Sequence, residues 1–188
     1  MGKIPGREEA WQLLRQYMGN EALLNHAKAV EGVMRHLARK FGENEEFWGV
    51  VGLLHDLDYE MYPEEHCVKA AEILREHDID ESVIHAVVSH GWQICADVEP
   101  LHLMEKTLYA IDELTGLINA TALMRPSKSV MDLEYKSLWK KYKTANFAAG
   151  VDRGIIERGC EMLGMDLKDV IEETILGMRG VAAEIGLA

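Results

Sequence analysis

Apolar residues recur with the helical period along nearly the whole chain, and no segment sustains the two-residue alternation of a half-buried strand. That pattern restricts the fold to packed helices, and the reading is all-α. A short first helix is expected over about 8–18. Asn20 should cap a long helix over about 21–40, with Gly42 as its stop. Asn44 should cap the next, which runs to about His55. Beyond the loop marked by Pro63, helices are expected at about 64–77, at 81–90 behind Asp80, and at 102–123, closed by Pro126. A helix near 132–143 follows, then two more separated by "LGMD", the last capped by Asp166. No linker, internal repeat or low-complexity tract interrupts the 188 residues, a length that suits one domain over 1–188.

The net charge of −12 argues against a general nucleic-acid binder, which carries a basic face. The charge is uneven, however. Residues 125–143, "RPSKSVMDLEYKSLWKKYK", hold six Lys/Arg and two Asp/Glu, a basic island able to attract an anion. The stretch 125–150 is expected to be a lid or accessory segment. The three cysteines, Cys67, Cys95 and Cys160, form no Cys-x-x-Cys pair and read as reduced packing residues. No apolar run is long enough for a membrane span and no signal-peptide core is visible, so the expected location is cytoplasmic, with no membrane partner.

Helical geometry sorts the eight histidines, because positions i±3, i±4 and i±7 share a face. His26 falls with Leu23, Val30, Val33 and Leu37. His55 falls with Val51 and Trp48, His66 with Ala70, Ile73 and Leu74, and His90 with Val83, Ala86 and Val87. These four point inward. His36, His77 and His85 fall on polar faces or helix ends, and His102 stands at a helix start. Two acids accompany the inward set: Asp56, directly after His55 in "VVGLLHDLDYE", and Asp112 in the apolar stretch "TLYAIDELTGLI". A buried carboxylate without a partner is costly. A divalent ion satisfies these imidazoles and carboxylates together. His55 and Asp56 diverge by about 100° on a helix. They reach one ion if it sits at the helix end, where "LDYE" turns the chain.

His26, "LLHDLD" with His55 and Asp56, and "YAIDEL" with Asp112 together resemble the HD-domain superfamily of metal-dependent phosphohydrolases. The resemblance covers about residues 20–123, leaving 124–188 as a C-terminal helical extension. It implies an HD-like helical bundle with His26, His55, Asp56 and Asp112 as metal ligands. "HCVKAAEIL" and "VIHAVVSHG" are similar to the intermediate helices of the His-Asp-Ile-Gly subgroup, which implies a second metal at His66 and His90. The chain departs from that subgroup in having His-Asp-Leu-Asp. It lacks the Gly-Tyr-Pro signature and has Ser89-His90 where cyclic-di-GMP phosphodiesterases have paired histidines. Nucleotidase-like members place Glu three residues after the Asp; Tyr59 stands there, and Asp58 or Glu60 would have to substitute.

The resemblance implies one or two divalent ions, with Fe, Mn, Zn, Ni and Mg all compatible with such ligands. Metal-activated water would cleave a phosphate ester of a nucleotide or another small phosphorylated molecule. Asp58 is the expected catalytic acid or base, and Asp56 the expected bridge between two ions. Lys128, Lys140, Lys141 and Arg153 are the expected anion-binding residues. Two alternatives stay open: a di-iron oxygenase on the same scaffold, and a regulatory metal-binding module without catalysis.

Overall fold

The computed structural model describes residues 2–188. Among these residues the fold is all-helical: α1 (Arg7–Tyr17), α2 (Glu21–Phe41), α3 (Glu45–Leu54), α4 (Val68–Glu76), α5 (Glu81–Ser89), α6 (Leu103–Leu123), α7 (Tyr135–Tyr142), α8 (Arg153–Leu163) and α9 (Leu167–Gly180). A 3₁₀ turn over Pro63–Glu65 precedes α4. Two isolated bridge pairs occur, Lys3 with Ile79 and Trp92 with Ala96, and neither extends into a strand.

Local sequence explains most boundaries. The Asn20 side chain accepts hydrogen bonds from the Ala22 and Leu23 N–H groups at the start of α2, and left-handed Gly42 ends it. Asn44 caps α3 through the Phe47 N–H. The helix expected at 64–77 is shorter than its pattern suggested. Pro63 initiates a separate 3₁₀ turn, His66 is extended (φ −53°, ψ 141°) and Cys67 has φ 70°, so α4 begins only at Val68. His66 is therefore held by a bend between two helical pieces, not by a helix face.

The core forms around α2, with α3, α6 and α9 packed against it. In α3 every residue from Trp48 to Leu54 is buried, and each large apolar side chain there stabilises the fold by about 1.5–3 kcal/mol. This anchors the end of α3 in the interior.

The C-terminal helices lie directly on this core. A methyl group at Gly159 in α8 would overlap the Cα atom of Ala110 in α6, and one at Gly177 in α9 would lie 2.7 Å from the Cα of Val33 in α2. The basic segment is tied down as well. Arg179 donates to the Val130 and Leu133 carbonyls at 3.3 and 2.9 Å, and the Ser129 hydroxyl donates to the Leu187 carbonyl at 3.0 Å. His36, read as a surface residue, is half-buried and 2.7 Å from Glu173 of α9, a contact across 137 residues that local pattern does not reveal.

Gly159→Ala should destabilise the protein by ~1–3 kcal/mol through overpacking. This overrides the ~1 kcal/mol that alanine contributes as a better helix former. The urea midpoint should fall with helix content retained. An unchanged or higher midpoint would contradict the close α6–α8 contact.

Candidate metal centre

His26 projects from the N-terminal third of α2, Asp112 from the middle of α6, and His55 and Asp56 from the turn that follows the buried end of α3. His26 Nε2 lies 2.9 Å from Asp112 Oδ1 and 3.8 Å from Asp56 Oδ2. His55 Nε2 lies 3.3 Å from both Asp56 Oδ2 and Asp112 Oδ1, without a well-directed hydrogen bond to either. The other face of Asp56 meets a second group of donors. Its Oδ1 is 3.4 Å from His66 Nε2 and 3.5 Å from His90 Nε2. One carboxylate thus divides its two oxygens between two pairs of imidazoles.

The orientation of the rings is fixed from behind. His55 Nδ1 donates to the Gly52 carbonyl at 2.7 Å, and His90 Nδ1 donates to the Val87 carbonyl at 2.5 Å. A carbonyl can only accept, so in both rings Nδ1 carries a proton and Nε2 is the atom turned to the cluster, free to hold a second proton or a metal ion. His66 Nδ1 lies 2.7 Å from Asp58 Oδ1, which does the same for the third ring. His66 and His90 then turn their Nε2 atoms toward each other at 3.1 Å. At that distance the two Nε2 atoms can share a proton, or both can turn to a metal ion beside them.

Electrostatics points the same way. Burial pulls the His55 ring toward neutrality, but the charges of Asp56 and Asp112 outweigh it and raise its pKa well above 6.5. Burial pushes Asp56 and Asp112 upward, and the facing histidines, His55 foremost, hold both well below the usual carboxylate range. Next to Asp112, burial and the Asp112 charge push Glu113 up to about 7. His55 Nε2 is fully buried without a hydrogen-bond partner, and it faces two ionised carboxylates. That is an interior atom in need of a positive charge, either a proton or a metal ion.

The donor set fits a metal. His26, His55 and Asp112 each offer a ligand atom, all within 4.8 Å of one another, and His66, Cys67 and His90 form a second such group. Cys67 was not singled out by sequence, because its thiol reads as a packing residue until the bend at His66 places it beside the ring. The side chains of His26, Asp56 and Asp112 are 23%, 14% and 22% exposed, so the cluster opens to solvent on that side.

The HD domain family matches residues 23–117, half of the chain. The chain belongs to the HD domain family. HD domains bind divalent metal ions, and the family is typically one of phosphohydrolases. The chain is 28% identical over 170 residues to ribonuclease Y of Acholeplasma laidlawii, covering 87% of this chain and 30% of that protein. It is 31% identical over 88 residues to a tRNA (cytidine(56)-2'-O)-methyltransferase of Thermoplasma volcanium, covering 46% of this chain and 26% of that protein. It therefore spans less than a third of either relative. No solved structure matches it. No helix among the described residues is long and apolar enough to cross a membrane.

The remaining expected site residues are placed differently from the HD cluster. Asp58 is completely buried and accepts from the Ala70 N–H at 2.8 Å as well as facing His66, so its geometry is that of a group that orients a ring. Glu60 accepts from the Gly19 and Asn20 N–H groups ahead of α2. Arg153 directs all five of its N–H donors at backbone carbonyls, those of Tyr142, Thr144, Phe147, Ala148 and Val151. Lys128 and Lys140 are exposed, and Lys141 lies over the Phe147 ring at 4.7 Å. None of these four cations contacts the cluster among the described residues. Beside His26 lies a cavity of about 300 Å³ between α2, α6 and the chain end. Its polar wall comprises Asn25, Thr115 and Asn119, and no lysine or arginine lines it.

A raised His55 pKa has a definite sign. In the metal-free protein the protonated ring stabilises the fold fully below pH 6.5, and that contribution is lost as pH rises through the folded-state pKa. A metal must displace this proton, so metal affinity should rise with pH through neutrality. Calorimetry in buffers of different ionisation enthalpy should show protons released as metal binds at pH 7. Binding with no proton release and no pH dependence would contradict the arrangement.

Proposed function

We propose that this HD protein is a metal-dependent phosphohydrolase that cleaves a phosphate ester of a nucleotide or another small phosphorylated molecule. The observation that carries the reading is the division of Asp56 between two imidazole pairs whose Nε2 atoms are aimed by acceptors behind them. In this reading His26, His55, Asp56 and Asp112 hold one divalent ion, and His66 and His90, with Asp56 shared, hold a second. Such ions, when bound, acidify water and neutralise phosphate charge.

The chain's own residues supply the rest. His55 is fully buried, and the Gly52 carbonyl holds its ring against rotation. Asp58 keeps the His66 proton on Nδ1, so its role is to position a ligand. Asp56, Asp112 and His26 form the solvent-facing side, where a phosphate group enters. The cavity beside His26 takes the remainder of the substrate. Its carboxamides, Asn25 and Asn119, have no hydrogen-bond partner in the protein among the described residues and can each donate and accept. With no cation in its walls, the cavity suits an uncharged group such as a nucleoside better than a further phosphate. The basic island around α7 remains a surface for longer-range attraction of an anion.

The two relatives bear names that refer to RNA, so an RNA phosphodiester is the natural competitor. The net charge of −12 disfavours a long polyanion and favours a small substrate. A second possibility, oxygen chemistry at paired iron, uses the same ligands.

The test is phosphate release from nucleoside monophosphates with Mn²⁺ or Mg²⁺, beside cleavage of a short oligoribonucleotide and oxygen uptake with Fe²⁺. Release from monophosphates, lowered ~10²-fold or more by Asp56→Asn, is the expected result. Cleavage of the oligonucleotide alone, or oxygen uptake alone, would overturn the assignment.

A further inference from the structure

Cys67 and Cys95 are 28 residues apart in sequence, yet their sulfur atoms lie 3.4 Å apart. Cys67 is completely buried and directly follows His66. Its φ of 70° lies in the left-handed region that residues other than glycine rarely occupy, the sort of strain that persists only where its surroundings enforce it. Cys95 is exposed and belongs to a tight turn just beyond His90. In that turn the N–H groups of Ile94, Cys95 and Ala96 all donate to the Gly91 carbonyl, at 2.9, 2.9 and 3.0 Å. Gly91 itself lies against both thiols. A β-carbon there would sit 2.6 Å from each sulfur, so any side chain would drive the pair apart. Neither sulfur has another hydrogen-bond partner among the described residues. The two segments that carry His66 and His90 therefore meet at a pair of free thiols, one open to solvent and one behind it.

We propose that Cys67 and Cys95 are a peroxide-sensitive dithiol that closes to a reversible disulfide at the edge of the second group of donors. The exposed Cys95 sulfur, as thiolate, attacks one oxygen of a peroxide. The O–O bond breaks, leaving Cys95 sulfenic acid and hydroxide. The Cys67 sulfur then attacks the Cys95 sulfur, the S–S bond forms and the S–O bond breaks, with the oxygen leaving as water. Two thiols give up two electrons and one hydrogen peroxide becomes two waters. Exposed Cys95 is the first to react and buried Cys67 is the resolving thiol.

Closure has a consequence for the metal centre. The Cys67 sulfur lies within 4.8 Å of ligand atoms of His66 and His90, and as a thiolate it is a soft donor to any ion there. The disulfide withdraws that donor. This consequence rests on the metal reading of the second group; the cross-link does not.

The full chain, reduced and desalted, is treated with one equivalent of hydrogen peroxide, alkylated and measured by intact and peptide mass spectrometry. The expected result is joint loss of two of the three thiols, a peptide pair linking Cys67 to Cys95, and recovery of all three with a dithiol reductant. Cys95→Ser should abolish the cross-link with the fold intact by circular dichroism. Independent oxidation of single cysteines, or pairing through Cys160, would overturn the proposal. Cobalt(II) then reads the consequence. Reduced protein should show near-ultraviolet sulfur-to-cobalt charge transfer that the cross-linked protein lacks. Identical cobalt spectra in both states would overturn the withdrawal of a ligand. A failure to bind cobalt in either state would instead count against the metal centre, with the cross-link result standing by itself.

Discussion

The arrangement depends on one buried nitrogen. His55 stands at the C-terminal end of α3, where seven consecutive buried residues have carried the chain into the interior. Its Nδ1–H is committed to the Gly52 carbonyl, so Nε2 faces inward with no hydrogen bond of its own. Unpartnered in an apolar core, such an atom costs roughly 1–3 kcal/mol. Here it faces two carboxylates that the same burial would otherwise force to take up protons. Imidazole and carboxylates are tolerable in the interior only as a set, and only with a positive charge among them.

The fold can be understood as the support for that set. Helices α2 and α6 pack on each other, α2 contributing His26 from its N-terminal third and α6 contributing Asp112 from its middle. The bend at residues 63–67 gives up regular helix to turn His66 back over Asp56. Asp58, the apparent extra acid of the "HDLD" run, braces that bend by holding the His66 ring and the Ala70 N–H together. The C-terminal helices press on α2 and α6 through two glycine contacts, and residues 185–187 form one wall of the cavity beside His26. The extension beyond the HD match is thereby part of the surroundings of the cluster.

Much of this was legible in sequence, and the reason is local. Caps such as Asn20, Asn44 and Asp80 and the stop at Gly42 act within a few residues, so pattern alone places them. His26, His55, His90 and Asp112 declare themselves by sitting on apolar helical faces, and the structure gathers them with Asp56 and His66 into one cluster. What pattern could not supply is contact across sequence. Nothing local says that Arg153 is consumed by five carbonyls of its own loop, or that His36 meets Glu173. The helical pattern at 64–77 ran through His66 and Cys67 because apolar spacing does not register a left-handed φ at a non-glycine residue. The proximity of two cysteines on different segments is likewise invisible before folding.

The most direct test of a centre shared through Asp56 is metal stoichiometry, by elemental analysis of protein purified without chelator or affinity metal. The account predicts up to two divalent ions per chain in the wild type. It predicts loss of both in Asp56→Ala with helix content unchanged, because that carboxylate faces both groups. Wild-type protein that holds no metal and takes up none from added Mn²⁺ or Fe²⁺ would contradict it, as would an Asp56→Ala protein that keeps its full complement.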